Sequence, residues 1–191
     1  ASVREAWGLL LRRRAALGAL GYSVCFSMAN DTLFVVYGAW LERDFHLPLA
    51  ALGGATMAIG AAELLAEALT ALLADRLGLA RAAVGGVALT AAAYLVMPVV
   101  ARTLPLALAA LFVAFLAFEF TVVTALGLIT EILPDARGTM MGALGATSST
   151  GRMLGALTGG YVWLWGGLAA IGCVAAALSL AALGSLVWGL R

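Results

Sequence analysis

Apolar residues in this chain gather into six long runs separated by short polar breaks. The runs cover about residues 15–40, 49–74, 82–101, 106–130, 139–163 and 167–189. A helix needs roughly 20 apolar residues to cross a bilayer, and each run meets that length. The breaks read LERDFHLP, DRLGLAR, RTLP, EILPDARG and WLWG. They hold charge, Pro, Gly or aromatic residues of the kind found at a membrane–water boundary. The pattern predicts an all-α polytopic membrane protein with six transmembrane helices. Residues 1–14 form a basic leader, expected as a solvated or interfacial helix. The apolar run behind it is too long for a signal peptide, and no small-residue cleavage site stands out.

Polar positions inside the runs carry more information. Asp31 falls in the first run, Glu63 and Glu67 in the second, Glu119 in the fourth and Arg152 in the fifth. A charge at the centre of a lone helix costs up to ~3 kcal/mol on insertion scales, so these side chains should face protein or trapped water. The third and sixth runs carry no charge in their spans. The chain therefore divides into two three-helix repeats, 15–101 and 106–189, each with two charged helices followed by a bland one able to face lipid.

Helical spacing refines this. Thr56, Gly60, Glu63, Glu67, Thr70 and Ala74 follow alternating steps of four and three and share one face. Ser23, Ser27, Asn30 and Asp31 form a polar side of the first span. Gly138, Gly142, Gly145, Ser149, Arg152, Ala156 and Gly159 line up on the fifth, small throughout except for the arginine. Such a face lets a neighbouring helix approach closely, and Gly151 with Gly155 adds a second small pair. Four acids against one arginine leave surplus carboxyls. One acid is expected to pair with Arg152, with Asp31, Glu63, Glu67 and Glu119 all open. The surplus suits a proton relay or a cation site.

Composition agrees with the pattern. Hydrophobic residues make up 64% and charged residues 11%, with mean hydropathy +1.06; soluble domains average roughly 25% charged. All 11 basic residues are Arg. Eight of them (Arg4, Arg12, Arg13, Arg14, Arg76, Arg81, Arg137 and Arg191) fall on one side of the predicted membrane, and Arg43 and Arg102 on the other. The positive-inside bias puts both termini in the cytoplasm, with the chain in the cell (inner) membrane. No basic stripe with interleaved aromatics is present, which argues against nucleic acid. The single His46 has no metal-ligand spacing around it, so no metal and no cofactor are expected. Cys25 and Cys173 read as small buried hydrophobes. An intramembrane enzyme would need a nucleophile and base or a two-His site, and neither G-x-S-x-G nor H-E-x-x-H occurs.

At DRLGLAR and LPDARGTMMGALGATSSTGRMLGALTGG the sequence resembles the major facilitator superfamily, transporters built of two six-helix halves around a central cavity. Their loop between the second and third helices has a G-x-L-A-D-R-x-G-R-R-like pattern. Leu73, Ala74, Asp75, Arg76 and Gly78 match it; Ala71 replaces the first Gly, Leu79 and Ala80 replace the basic pair, and Arg81 comes one position late. The stretch Pro134 to Thr139 and the Gly-rich helix with a central Arg are similar to the C-terminal half of drug and metabolite efflux members. The resemblance implies a C-terminal six-helix half. It places Asp31, Asn30 and Glu119 at a cavity lined by spans one and four, with Glu63, Glu67 and Arg152 at its edge.

The resemblance also implies a gating role for the loops. The gating loops hold Asp75, Arg76, Gly78, Arg81, Glu131, Asp135 and Arg137; Asp75 would cap or attract a neighbouring helix N-terminus, and Arg76 or Arg81 would pair with Glu131 or Asp135. It further implies a second six-helix half, either another copy of the chain or a missing N-terminal half. The expected function is proton-coupled efflux of a small molecule, with the lipid bilayer, that substrate and protons as partners. The alternative is a non-transporting scaffold or assembly module that uses its Gly-rich helix faces.

Overall fold

The computed structural model describes residues 3–191, which form helices joined by short turns. The helices are α1 (Val3–Arg12), α2 (Arg14–Phe34), α3 (Tyr37–Phe45), α4 (Leu49–Leu77), α5 (Leu79–Val100), α6 (Leu104–Thr130), α7 (137–165) and α8 (168–190). Helix is the secondary structure that satisfies every backbone N–H and C=O within one apolar segment. Among the described residues, five helical stretches are long and apolar enough to cross a membrane: Arg14–Phe45, Ala50–Ala74, Leu79–Val100, Leu104–Thr130 and Pro134–Leu190. The last breaks at Gly166 and Gly167, where Gly167 has φ 59°. That left-handed conformation is open to glycine at little cost, and it divides the stretch into α7 and α8.

The turns are tighter than the polar breaks suggested. LERDFHLP was expected to be a loop, yet the first span continues beyond a bend at Val35 and Val36 as α3, as far as Phe45. DRLGLAR shrinks to a single residue outside helix, Gly78, with φ 82°. WLWG becomes the two-glycine break. In each case the helix runs into the break, leaving three residues (46–48), one (Gly78) and two (Gly166 and Gly167) to reverse the chain. Pro134–Ala136 forms a 3-10 turn ahead of α7.

Glycines show how the helices run. Backbone of α2 at Val24, Met28 and Thr32 lies against Gly151, Gly155 and Gly159, in that order, so α2 and α7 are parallel. Gly18 and Gly21 of α2 meet Gly189 and Ser185 of α8, so α8 runs antiparallel to both. Besides these seams, α5 packs on α6 and α8, and α4 packs on α6. The close seam on α7 is thus Gly151, Gly155 and Gly159. Around Gly138, Gly142 and Gly145 nothing lies within 4 Å of an added Cβ, and Ser149, Arg152 and Ala156 are exposed. Of the glycines in the predicted stripe, Gly159 alone among the described residues lies against backbone of α2, whereas Gly138, Gly142 and Gly145 face open space.

Two apolar clusters fill the bundle. One includes Trp40, Tyr94, Met97, Phe115 and Ile171. The other includes Phe26, Val87, Ile129, Met140 and Leu186. Ala6 and Leu10 of α1 join the second cluster, so the leader is an amphipathic helix seated on the bundle, its arginines exposed. Cys173 is exposed on α8 and Cys25 half-buried, so only Cys25 approaches the buried state expected of both.

Candidate functional site

The polar side of α2 is buttoned to its neighbours one residue at a time. Ser23 donates to the Leu144 carbonyl at 3.3 Å. Ser27 and Ser148 share a hydrogen bond of 2.8 Å. Asn30 accepts from the Tyr94 hydroxyl of α5 at 3.3 Å. Asp31 accepts from Arg152 Nε at 3.4 Å. Among the four acids left open by the sequence, Asp31 is the one that holds the arginine.

Gly155 makes this pairing possible. A Cβ there would meet the Met28 carbonyl oxygen at 2.5 Å and Asp31 Cβ at 3.0 Å. Its absence lets α7 lie against α2, which brings Arg152, one turn earlier, within reach of the carboxylate. The two partners differ in environment: the Asp31 side chain is 12% exposed and that of Arg152 63%. The guanidinium reaches from the seam into open space, so solvent screens the pair and holds its contribution to about 1 kcal/mol.

That space is a cavity of about 250 Å³. Asn30, Asp31 and Phe34 of α2, Glu63 of α4, Phe115, Phe118 and Glu119 of α6, and Ser148 and Arg152 of α7 line it. Three carboxyls therefore face one guanidinium. Five of the six predicted membrane-site residues, Asn30, Asp31, Glu63, Glu119 and Arg152, thus meet at one cavity wall; Glu67, one turn on from Glu63 on α4, does not line it. Glu63 and Glu67 are exposed on α4. Of the phenylalanines around Glu119, Phe115 and Phe118 line the cavity, whereas Phe112 packs on the Trp40 cluster and Phe120 turns to a separate cleft.

A second cavity of about 240 Å³ adjoins the first and shares Ser27, Val122 and Ser148 with it. Tyr22, Phe26, Ala125, Ile129 and Leu144 make it mainly apolar. The sequence reading missed this lobe. Its signal was present in Tyr22 and Phe26, four apart on α2, and in Ser148, four before Arg152 on α7.

The turn residues sit elsewhere. Glu131 caps the end of α6 and accepts from Arg137 Nη2 at 3.0 Å, both side chains exposed. The pairing expected of Arg76 or Arg81 with Glu131 is made by Arg137 instead, which is closer in sequence and held by the 3-10 turn containing Asp135. Arg76 and Arg81 flank a cleft with Gly85, Leu89 and Phe120. The side chain of Asp75 lies outside the described residues.

Comparison with known proteins adds the family. The sequence model of the Major Facilitator Superfamily matches residues 3–191. The chain is 26% identical over 138 residues to the uncharacterized MFS-type transporter YceJ of Bacillus subtilis (strain 168), a match that covers 72% of this chain and 35% of that protein. The chain thus spans about a third of that relative's length. No solved structure matches it. A bundle of membrane-length helices around a carboxyl-lined cavity, matched by the family's model along its whole described length, belongs to the Major Facilitator Superfamily.

Proposed function

We propose that this chain is one six-helix half, of C-terminal type, of a secondary active transporter that exports a small molecule in exchange for protons. The observation that carries the reading is the cavity itself. Asp31, Glu63 and Glu119 converge on one space between helices of membrane length, and one guanidinium answers them. Ionisable groups are placed inside a bilayer at considerable cost and recur where ions or protons pass.

The packing supports two three-helix repeats. The seams run between the repeats: α2 of the first contacts α7 and α8 of the second, α6 of the second contacts α4 and α5 of the first, and α5 and α8 contact one another. Exchanging first, second and third spans with fourth, fifth and sixth leaves this set of pairs unchanged. Asp31 on α2 and Glu119 on α6 then correspond, each on the first helix of its repeat. The exposed positions of Glu63, Glu67 and Arg152 favour a second half seated over α4 and α7, either the rest of a longer polypeptide or another copy. Both termini are assigned to the cytoplasm and the chain to the inner membrane from its arginine distribution. Arg76, Gly78, Arg81, Glu131, Asp135 and Arg137 then lie at the cytoplasmic mouth, where contacts can break and reform between states.

The test is flux in proteoliposomes carrying an internal pH dye, screened with candidate small molecules under an imposed proton gradient. Asp31→Asn and Glu119→Gln should each abolish substrate-dependent proton movement in protein that remains folded, with Asp31→Asn losing no more than about 1 kcal/mol, the contribution of its ion pair. Unaltered flux in both variants would remove the carboxyls from the coupling mechanism.

A further inference from the structure

A cleft of about 370 Å³ opens where α4 turns into α5. Arg76 and Arg81 line it from either side of the Gly78 turn, and Gly85 and Leu89 of α5 and Phe120 of α6 line the rest. Arg81 and Leu89 are eight residues apart on α5, about 12 Å along the helix. That is close to half of a hydrocarbon core, about 15 Å, so the cleft runs from the helix end into one leaflet. Neither arginine has an ion-pair partner among the described residues, and no acidic side chain among those residues lines the cleft. Two neighbouring glycines divide the work. A Cβ at Gly86 would meet Thr121 Oγ1, so Gly86 lets α5 close on α6. Gly85 is exposed with nothing within 4 Å of an added Cβ, and it leaves a trough beside that seam.

We infer that this cleft binds one anionic phospholipid, with its phosphate on Arg76 and Arg81 and an acyl chain in the trough of Gly85, Leu89 and Phe120. The charge sense follows from the two arginines. A guanidinium presents a fork of N–H donors that matches phosphate oxygens. A zwitterionic headgroup would bring its own cation to the same place, and an anionic one does not. The apolar body argues for a lipid over a soluble anion. The chain carries no charge from Ala82 to Ala101, so hydrocarbon can cover this side of α5 along the length of the cleft. The apolar stems of the arginines can lie along the trough while their heads stay at the boundary. Basic pockets between membrane helices recur as sites for anionic headgroups. The cleft shares no lining residue with the carboxyl cavity, so the inference stands or falls apart from any transport role.

The experiment titrates the full chain in detergent with dioleoyl phosphatidylglycerol or dioleoyl phosphatidylcholine and reads the retained lipid by native mass spectrometry. The wild type should hold the first phosphatidylglycerol more tightly than phosphatidylcholine. Arg76→Gln and Arg81→Gln should each weaken phosphatidylglycerol by about 5-fold, one arginine's share of the attraction to an anionic surface, and leave phosphatidylcholine nearly unchanged. Arg102→Gln, at an exposed arginine beyond the other end of α5, should change neither. Gly85→Leu fills the trough and should weaken phosphatidylglycerol at least as far as either arginine variant. It should unfold at the same or a higher temperature, since its side chain enters open space and leucine favours helix. Gly184→Leu, equally open on α8, is its control and should leave lipid binding as it was.

Equal affinity for the two lipids, or arginine variants no different from Arg102→Gln, would overturn the headgroup contact. Undiminished binding by Gly85→Leu, or displacement of phosphatidylglycerol by inorganic phosphate, would reduce the site to an anion-binding rim and overturn the lipid. The trough is also read without a substitution. The wild type should hold dihexanoyl phosphatidylglycerol, with chains too short to follow the cleft to Leu89, more weakly than the dioleoyl form. Equal affinity for the two chain lengths overturns the acyl contact, and this comparison decides the matter if Gly85→Leu unfolds early.

Discussion

Gly155→Ala tests the seam that sets the site. The added methyl would lie 2.5 Å from the Met28 carbonyl oxygen, 3.0 Å from Asp31 Cβ and 3.1 Å from Thr32 N. Two of these are backbone atoms of α2, with no flexible end to swing away. Ordinary contact begins at 3.4 Å, so α2 and α7 must part by about 0.9 Å, the difference between 3.4 and 2.5. Forcing a methyl into a closed contact costs about 1–3 kcal/mol. Replacing a mid-helix glycine by alanine returns about 0.5–1 kcal/mol, which leaves a net loss centred on about 1 kcal/mol. The Asp31–Arg152 contact is already 3.4 Å, and the same separation takes it beyond ion-pair range. Thermal unfolding in nanodiscs reads the loss, with Gly142→Ala as the control. Nothing lies within 4 Å of a Cβ at Gly142, so that variant keeps wild-type stability or gains up to about 1 kcal/mol. A Gly155→Ala protein as stable as wild type, or a Gly142→Ala protein that suffers more, would refute the reasoning.

Other substitutions probe the remaining contacts. Tyr94→Phe deletes the donor to Asn30 in a buried setting and should cost about 1 kcal/mol in unfolding free energy; no loss would mean that Asn30 finds another donor. In a double-mutant cycle, Asp31→Asn and Arg152→Gln should couple by about 1 kcal/mol, because one partner is buried and the other is not; additive effects would remove the pair from the stability of the bundle. Arg43 lies 4.2 Å over the Trp163 ring and ties the end of α3 to the α7–α8 turn; Trp163→Ala should cost about 0.5–1 kcal/mol beyond lost burial, measured against Trp163→Leu. Arg137→Gln breaks an exposed pair and should shift stability by less than about 0.5 kcal/mol, so any change in flux from this variant would report gating.

The spans were legible in the sequence because lipid imposes one rule on every residue of a segment. The apolar runs and the helices coincide to within a few residues for α4, α5 and α6. The mid-span charges were legible for the same reason, since each is an exception that must find protein or water. The choice of helix face was harder to read. On α7 a small residue recurs at both Gly138–Gly142–Gly145 and Gly151–Gly155–Gly159, and spacing alone does not rank two faces of one helix. What ranks them is the opposing backbone of α2, a long-range fact. Arg152 likewise had four possible partners at the level of charge. Gly155, three residues on, selects Asp31 by admitting α2 and no other helix. The apolar lobe escaped notice because Tyr22 and Phe26 look like ordinary core aromatics.

The cavity exists because the bundle has two kinds of seam. Along α2, glycines and a serine bring α7 and α8 against backbone, and no room is left between them. Between α6 and the α2–α7 pair contact is sparse, and phenylalanines, carboxyls and serines stand across the gap instead. A change in cavity width therefore moves α6, together with the α4 helix packed on it, relative to α2, α7 and α8. It leaves every glycine contact along α2 intact. Of the two acids on the corresponding helices, Asp31 belongs to the closed seam, clamped by Arg152 and Gly155. Glu119 belongs to the open one, facing Glu63 across the space. Packing thus divides the site into a closely seamed wall that carries the ion pair and a loosely seamed wall that carries the other carboxyls, and in the proposed transporter the second is the wall that would move as ligand loads and leaves.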